Sequence, residues 1–272
     1  MAIQTSLHPL NRADGSATYT SPNGYSILAA VNGPVEVQRR DELPDEAHIE
    51  VNVRPHDGVG QVKDRHLEMM IANTLRDVVY LQMFPRQMVQ LTLQILMVPV
   101  DDQAIGRTNP QAESVGLWFA RIISTCTDVP ILQYLPVLPW LLNAACLALL
   151  DAAIPMRCTF TSTIIALVST TTIREHPTIN DINAAKSLHV LTFSSKEELL
   201  LVESEGRFSM DAWDMIEEKA KTVCLGDADA MMVEKDEKGN SLQQELRSVI
   251  EEKVKRDERW KNGLRVGEKL AA

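Results

Sequence analysis

Cysteine is scarce and aromatic side chains are few: four cysteines and 5% aromatic residues in a chain of 272. Cys126, Cys146, Cys158 and Cys224 form no CxxC pair. That spacing argues against a disulfide framework or a zinc ribbon, and no signal peptide is expected ahead of them. They read as buried free thiols of a reducing compartment. Basic charge is also in deficit, with a formal net charge of -10. So acidic a chain does not bind nucleic acid through its overall field, and any RNA contact needs a local basic patch. Neither GxGxxG nor GxxxxGK occurs, which removes the common phosphate-cradling loops. His8, His48, His56, His66, His176 and His189 have no metal-ligand spacing, so no metal and no cofactor is expected. His189 sits inside an apolar strand and reads as a core or interface residue. No Ser-His-Asp or Cys-His arrangement can be argued from residue order. The run Val129 to Leu150 carries no charge, enough in length to cross a bilayer. Pro130, Pro136 and Pro139 break its first half, and the clean stretch from Trp140 to Leu150 is too short to span. It reads as a buried core helix, with no membrane association.

The remaining sequence is regularly patterned. Residues 16–20 and 25–34 flank the turn Pro22-Asn23-Gly24, a hairpin signal. Ile49, Val51 and Val53 alternate with polar residues, as do Val89, Leu91, Leu93 and Ile95, which predicts two half-buried strands. Between them Leu67, Met70, Ile71, Thr74 and Val78 share one face of a helix within 61–81. A helix over Trp140–Asp151 follows, then apolar or β-branched runs at 159–169, 187–193 and 198–203 that suit strands. Ser209 opens a helix with Asp211 in its first turn, and Met210, Trp213, Ile216 and Ala220 line its inner face. Ser241 with Gln244 forms a capping box ahead of an amphipathic helix marked by Leu242, Leu246, Val249, Ile250 and Val254. The mixed charges of that helix, Glu251 to Arg259, read as an exposed face or a partner contact.

Residues 98–138 break the pattern. They separate a strand from a helix by more than loops usually do. Two readings stay open, an insertion that touches a partner and a stretch retained by faulty gene modelling. Its plain physical reading is a disordered surface excursion.

Several segments carry a resemblance when taken in order. They are Asp14-Gly15-Ser16-Ala17, Val31-Asn32-Gly33-Pro34, Phe84-Pro85-Arg86-Gln87, Asn143-Ala144-Ala145-Cys146 through Asp151-Ala152 with Ile154-Pro155-Met156, and Gly206-Arg207-Phe208-Ser209. Together they resemble the RNase PH family, and most closely the RNase PH-like subunits that build the ring of the eukaryotic RNA exosome. The resemblance implies the RNase PH fold, a single α/β domain (α+β mixed sheet) over 12–226 with the insertion at 98–138. A charged linker and C-terminal amphipathic helix fill 227–272.

Active members of this family cleave RNA from its 3′ end with inorganic phosphate. The resemblance lets their site be checked position by position. The helical phosphate-binding arginine falls on Asn73, leaving only Arg76 nearby. The second falls on Leu138. The two acidic residues, six apart, fall on Asp181 and Ser187, so one carboxylate remains and reads as the cap of a turn. Phosphate held by few cations binds weakly. The expectation is a non-catalytic ring subunit that guides RNA through a central channel.

The basic candidates for that RNA are Arg39, Arg40, Arg54, Lys63, Arg65 and Arg86. By resemblance the loop from Arg54 to Arg65 faces the channel, and cations there would contact phosphates without reading bases. Arg39-Arg40, beside Asp41-Glu42, reads rather as surface or interface salt bridges. The partners implied are other RNase PH-like subunits in a six-membered ring, cap proteins, an associated catalytic nuclease and RNA. The location implied is the nucleus and nucleolus, and also the cytoplasm. The alternatives are a phosphorolytic 3′–5′ exoribonuclease whose site is displaced from this alignment, and a nucleic-acid-binding homodimer outside any ring.

Overall fold

Alternation at odd-numbered positions builds the first sheet. Ile27, Ala29 and Val31, Ile49, Val51 and Val53, and Val89, Leu91, Leu93 and Ile95 are buried, while the residues between them are mostly half-buried. In the computed structural model these runs become β3 (Ser26–Glu36), β4 (His48–Arg54) and β5 (Gln87–Met97). Together with β1 (Gln4–Leu7) and β2 (Gly15–Thr20) they form a sheet in the order β1-β2-β3-β5-β4. The β4–β5 pair is parallel and the others antiparallel, so the sheet is mixed. The model describes residues 3–40, 42–56, 58, 60, 62–99, 135–169, 172–226 and 241–259.

The second sheet has the order β7-β6-β8-β9, from β6 (Phe160–Leu167), β7 (Ile173–Glu175), β8 (Ser187–Ser194) and β9 (Leu199–Gly206), all antiparallel. Every residue of β6 and β8 is buried. That explains their continuous apolar or β-branched sequence, since a strand covered on both faces has no reason to alternate. Their even-numbered residues Ile164, Ala166, Leu188 and Val190 join the main core, and the odd-numbered Ile165, Leu167, Leu191 and Phe193 join a second one.

Helices supply the layers between and outside the sheets. Helix α1 (Val62–Val78) lies against β4, and α2 (Leu138–Asp151) packs on β2 and β3 on one side and on β6 and β8 on the other. All of α2 except Leu150 is buried. A six-residue α3 (Ile179–Ala184) precedes β8, α4 (Met210–Leu225) covers the outer face of the second sheet, and α5 (Leu242–Asp257) contacts α2, α4, β1 and β6. Ser209 caps α4 by accepting the N–H of Ala212. Ser241 likewise accepts the N–H of Gln244, the forward half of the expected capping box.

Three boundaries differ from the sequence reading. The folded unit starts before residue 12, because β1 pairs with β2 along its whole length. The excursion assigned to 98–138 ends earlier. Leu135 and Val137 are buried and α2 already begins at Leu138, with Pro139 in its first turn, where a missing N–H costs nothing. Residues 100–134 lie outside the described residues, as do 227–240 of the expected linker. Helix α5 is not an appended element, since Leu242 and Leu246 enter the two cores. Its Lys253 is not a purely exposed charge either. The ammonium lies 2.6 Å from Asp151 Oδ1 and donates to the Asp151 carbonyl at 2.9 Å.

Candidate nucleic-acid interface

The six basic candidates separate into two groups. Arg54 ends β4 and is exposed. Arg65 lies near the start of α1, with its side chain 83% exposed and 3.8 Å from Glu68. Glu68 also accepts the N–H of Val53 at 2.9 Å, which fastens the first turns of α1 to the end of β4. Arg54 and Arg65 are thereby held at the two stems of one loop. Within that loop Gly58 has φ of 79° and open space where a Cβ would stand, so the backbone there has room to approach a ligand. Lys63 belongs to the first turn of α1, and its side chain lies outside the described residues.

The other group sits at the far end of the same strand pair. Gln87, the first residue of β5, pairs with Glu36 at the end of β3. Arg86 therefore lies where β5 begins, with Arg39 and Arg40 three and four residues past the β3 end paired to it, whereas Arg54 lies where β4 ends. The parallel seven-residue β4 separates the two ends by roughly 20 Å. Arg86 is tied down by Glu42, with Nε 3.4 Å from its carboxylate, and its N–H donates to the Leu43 carbonyl. An exposed pair of this kind contributes little stability, under about 1 kcal/mol.

The four positions onto which the resemblance placed the family site are likewise dispersed in character. Asn73 and Arg76 are exposed on α1. Leu138 is fully buried in the main core and presents nothing to solvent. Asp181, the third residue of α3, completes a capping box with the N-cap Thr178: its carboxylate accepts from the Thr178 N–H at 3.1 Å and hydroxyl at 2.8 Å, and the Asp181 N–H donates back to the hydroxyl. Those bonds hold its carboxyl below the usual range. Ser187 is buried, and its hydroxyl lies 2.9 Å from His189 Nε2.

Ser187 belongs to the face of the second sheet that packs on α4. Its neighbour His189 lies against Phe208 and Trp213, at 4.7 and 5.7 Å between ring centroids. Leu138 belongs to α2, on the opposite face of that sheet. The two positions do not line one pocket.

Sequence reading passed over the environment of His189. Its ring is fully buried, with Nδ1 2.8 Å from the Ser204 hydroxyl and Nε2 on Ser187. Burial pushes its pKa down to about 4. The period-2 spacing of Ser187 and His189, facing Ser204 across the β8–β9 pair, was the signal available. Among the described residues no cluster of His, Cys, Asp or Glu could hold a metal ion. Cys146 and Cys224 are buried thiols whose pKa burial raises to about 12, which removes them as nucleophiles. No described helix is long and apolar enough to cross a membrane.

Comparison with known proteins agrees with this architecture. Residues 1–155 match the RNase PH model described as the 3′ exoribonuclease family, domain 1. The chain is 28% identical to exosome complex component RRP46 of Saccharomyces cerevisiae over 78% of its own length and 85% of that protein. It is 34% identical to a protein of Oryza sativa named exosome complex exonuclease RRP46 homolog, over 33% of this chain and 37% of that one. Among solved structures, rice Rrp46 superposes with a TM-score of 0.62 at 22% identity, covering 80% of this chain and 86% of the other. An archaeal exosome core chain gives 0.56 at 14%, covering 80% and 81%. The mixed sheet, the sandwiched helix α2 and the family match over more than half of the sequence agree: this chain belongs to the RNase PH family of 3′ exoribonucleases.

Proposed function

We propose that this chain is a structural subunit of an RNA exosome ring, supports 3′–5′ RNA processing and degradation, and has no phosphorolytic activity of its own. The observation that carries the first part is the likeness to exosome component RRP46 over most of both chains. Support for the second part comes from the site positions. Inorganic phosphate carries close to two negative charges near neutral pH and is held by cations and charge-assisted hydrogen bonds. Asn73 is neutral, Leu138 is buried and apolar, Ser187 is engaged with His189, and Asp181 is engaged with Thr178. Of the arginines in the aligned helical segment of the family site, Arg76 alone remains. In this reading the chain packs against other RNase PH-like subunits in a six-membered ring, under cap proteins, and RNA threads through to a nuclease on another chain. The complex works in the nucleus, including the nucleolus, and in the cytoplasm.

Within this reading Arg54, Lys63 and Arg65 line the channel and bind phosphates. In the reconstituted ring, Arg54→Ala with Arg65→Ala is expected to shorten the RNA segment protected from nuclease. It should also flatten the salt dependence of RNA affinity. The slope should fall by about 0.7 for each phosphate of a single strand that no longer meets a cation. Protection and slope equal to wild type would remove the loop from the RNA path. Arg39→Ala with Arg40→Ala, at the other end of β4, serves as the comparison.

A second reading keeps the enzyme. The rice and Arabidopsis thaliana relatives are both named exosome complex exonuclease. Incubation of the purified chain with a 3′-labelled RNA and phosphate decides between them. The structural reading expects no phosphate-dependent release of nucleoside diphosphates. Release that Asp181→Asn abolishes would establish the phosphorolytic enzyme instead.

A further inference from the structure

On the α4 side of the second sheet, away from α2 and from the arginine loop, lies a shallow cleft of about 310 Å³, at the lower end for small-molecule sites. Leu167, Lys186, Arg207, Phe208, Ser209 and Ala212 line it, and none of these is an acid. Lys186 and Arg207 face one another where β8 begins and β9 ends: the Arg207 N–H donates to the Lys186 carbonyl at 3.2 Å. Gly206 keeps the two segments this close, since a Cβ there would stand 2.3 Å from the same carbonyl. Both side chains are exposed, and neither has an ion-pair partner among the described residues. Like charges opposite each other on neighbouring strands repel, so an anion between them relieves a standing cost. The α4 N-terminus adds partial positive charge, which Asp211 in its first turn offsets in part.

Beside these cations stands an aromatic ring that the fold holds rigid. Phe208 is 42% exposed. One edge contact fixes it against His189, at 4.7 Å and 80° between ring planes, and Trp213 lies 6.0 Å behind. His189 is in turn locked by its two serines. A preorganised ring beside paired cations is the arrangement that stacks a base and holds its phosphate.

We propose that this cleft is a nucleotide-binding site, stacking the base on Phe208 and placing the phosphate between Lys186 and Arg207. The ligand is a free mononucleotide or one nucleotide of a single-stranded RNA, and the site is separate from the arginine loop assigned to the channel. The test uses the full-length chain and a short oligouridylate carrying one thiouridine. After irradiation, the crosslink is expected on the tryptic peptide carrying Phe208, which is 208–219 in the wild type and 197–219 where Arg207 is replaced. Phe208→Ala, and separately Lys186→Gln with Arg207→Gln, should each lower its yield at least fivefold, while Phe208→Trp retains it. The paired Lys186 and Arg207 substitutions touch only exposed side chains, so they test the site with the core intact.

Suppression of the crosslink by excess uridine monophosphate identifies a mononucleotide site. Suppression by unlabelled oligouridylate alone identifies a strand. A crosslink absent from the peptide carrying Phe208, unchanged in the variants, or suppressed instead by a glutamate-rich peptide overturns the proposal. Arg54→Ala with Arg65→Ala, run in parallel, separates the two assignments: loop-dependent RNA protection that persists without this crosslink leaves the ring reading standing and removes only the cleft.

Discussion

Asp151→Asn is expected to lower the thermal unfolding midpoint by roughly 10 °C, combining a loss of about 3–5 kcal/mol for breaking a buried ion pair with 2–4 °C per kcal/mol in a domain of this size. The Asp151 carboxylate is fully buried at the end of α2, where it joins three parts of the chain. It accepts the Ser16 N–H at 2.8 Å, lies 2.6 Å from the Lys253 ammonium and lies 3.5 Å from His8 Nδ1. The amide of asparagine keeps the shape but loses the charge, so the partly buried Lys253 stays behind uncompensated. Lys253→Met should also destabilise, because it leaves the carboxylate buried with fewer partners. Asp151→Asn combined with Lys253→Met should then cost less than the sum of the single changes, since no lone charge remains. Calorimetry of the three variants checks this. Additive losses, or an Asp151→Asn midpoint equal to wild type, would mean that the pair does not couple α5 to the fold.

Acid should weaken the fold through His189. Burial lowers its pKa from 6.5 to about 4. Between those values the unfolded chain takes up a proton that the folded ring refuses, so stability falls as pH drops from 6.5 towards 4 and is complete above 6.5. The full shift corresponds to at most about 3 kcal/mol. The groups against the ring are Ser187, Ser204, Phe208 and Trp213, none of which titrates in this range. Glu205 and Glu245, whose pKa values burial raises, act in the opposite sense above the normal glutamate range, because their folded forms hold protons longer. The informative quantity is therefore a difference: urea midpoints at pH 7 and pH 5 for wild type and for His189→Gln. The variant should be less stable at pH 7 yet lose less on acidification. An equal loss in both proteins would assign the acid sensitivity elsewhere.

Much of this fold could be read from residue order, and the exceptions have physical causes. Elements with one buried face announced themselves by period, as in β4, β5 and α1, where Val51, Leu91 and Ile71 fall in step. The hairpin at Asn23 formed as read, with β2 and β3 paired from Gly15↔Val31 to Thr20↔Ser26. Three short elements were passed over: β1, β7 and α3 have four, three and six residues, too few for a period to emerge. Asp181 reads as the cap of a turn because its acidic partner is missing, and in the structure it serves a helix start instead, in a capping box with Thr178. Lys253 was misjudged among exposed charges because its partner lies 102 residues away, beyond any local pattern. Residue order already set Arg39-Arg40 apart from the loop Arg54–Arg65, but not that Arg86 sits at the opposite end of the strand pair from Arg54. That placement depends on β4 and β5 running parallel, a property of the sheet rather than of any segment.

The turn at Asp14, Gly15 and Ser16 has a consequence for how this protein is made. Asp14 accepts the Gly33 N–H, Gly15 lies so close to α2 that a Cβ would meet the Ala152 nitrogen at 2.3 Å, and Ser16 donates to Asp151. A ribosome adding about 5–20 residues per second delivers Asp151 on the order of ten seconds after Ser16, because 135 positions separate them. Throughout that wait α1 alone lies against the newborn sheet, and the part that will meet α2 stays bare. Chaperone occupancy on stalled nascent chains should therefore peak before Asp151 leaves the exit tunnel and drop once α2 can close.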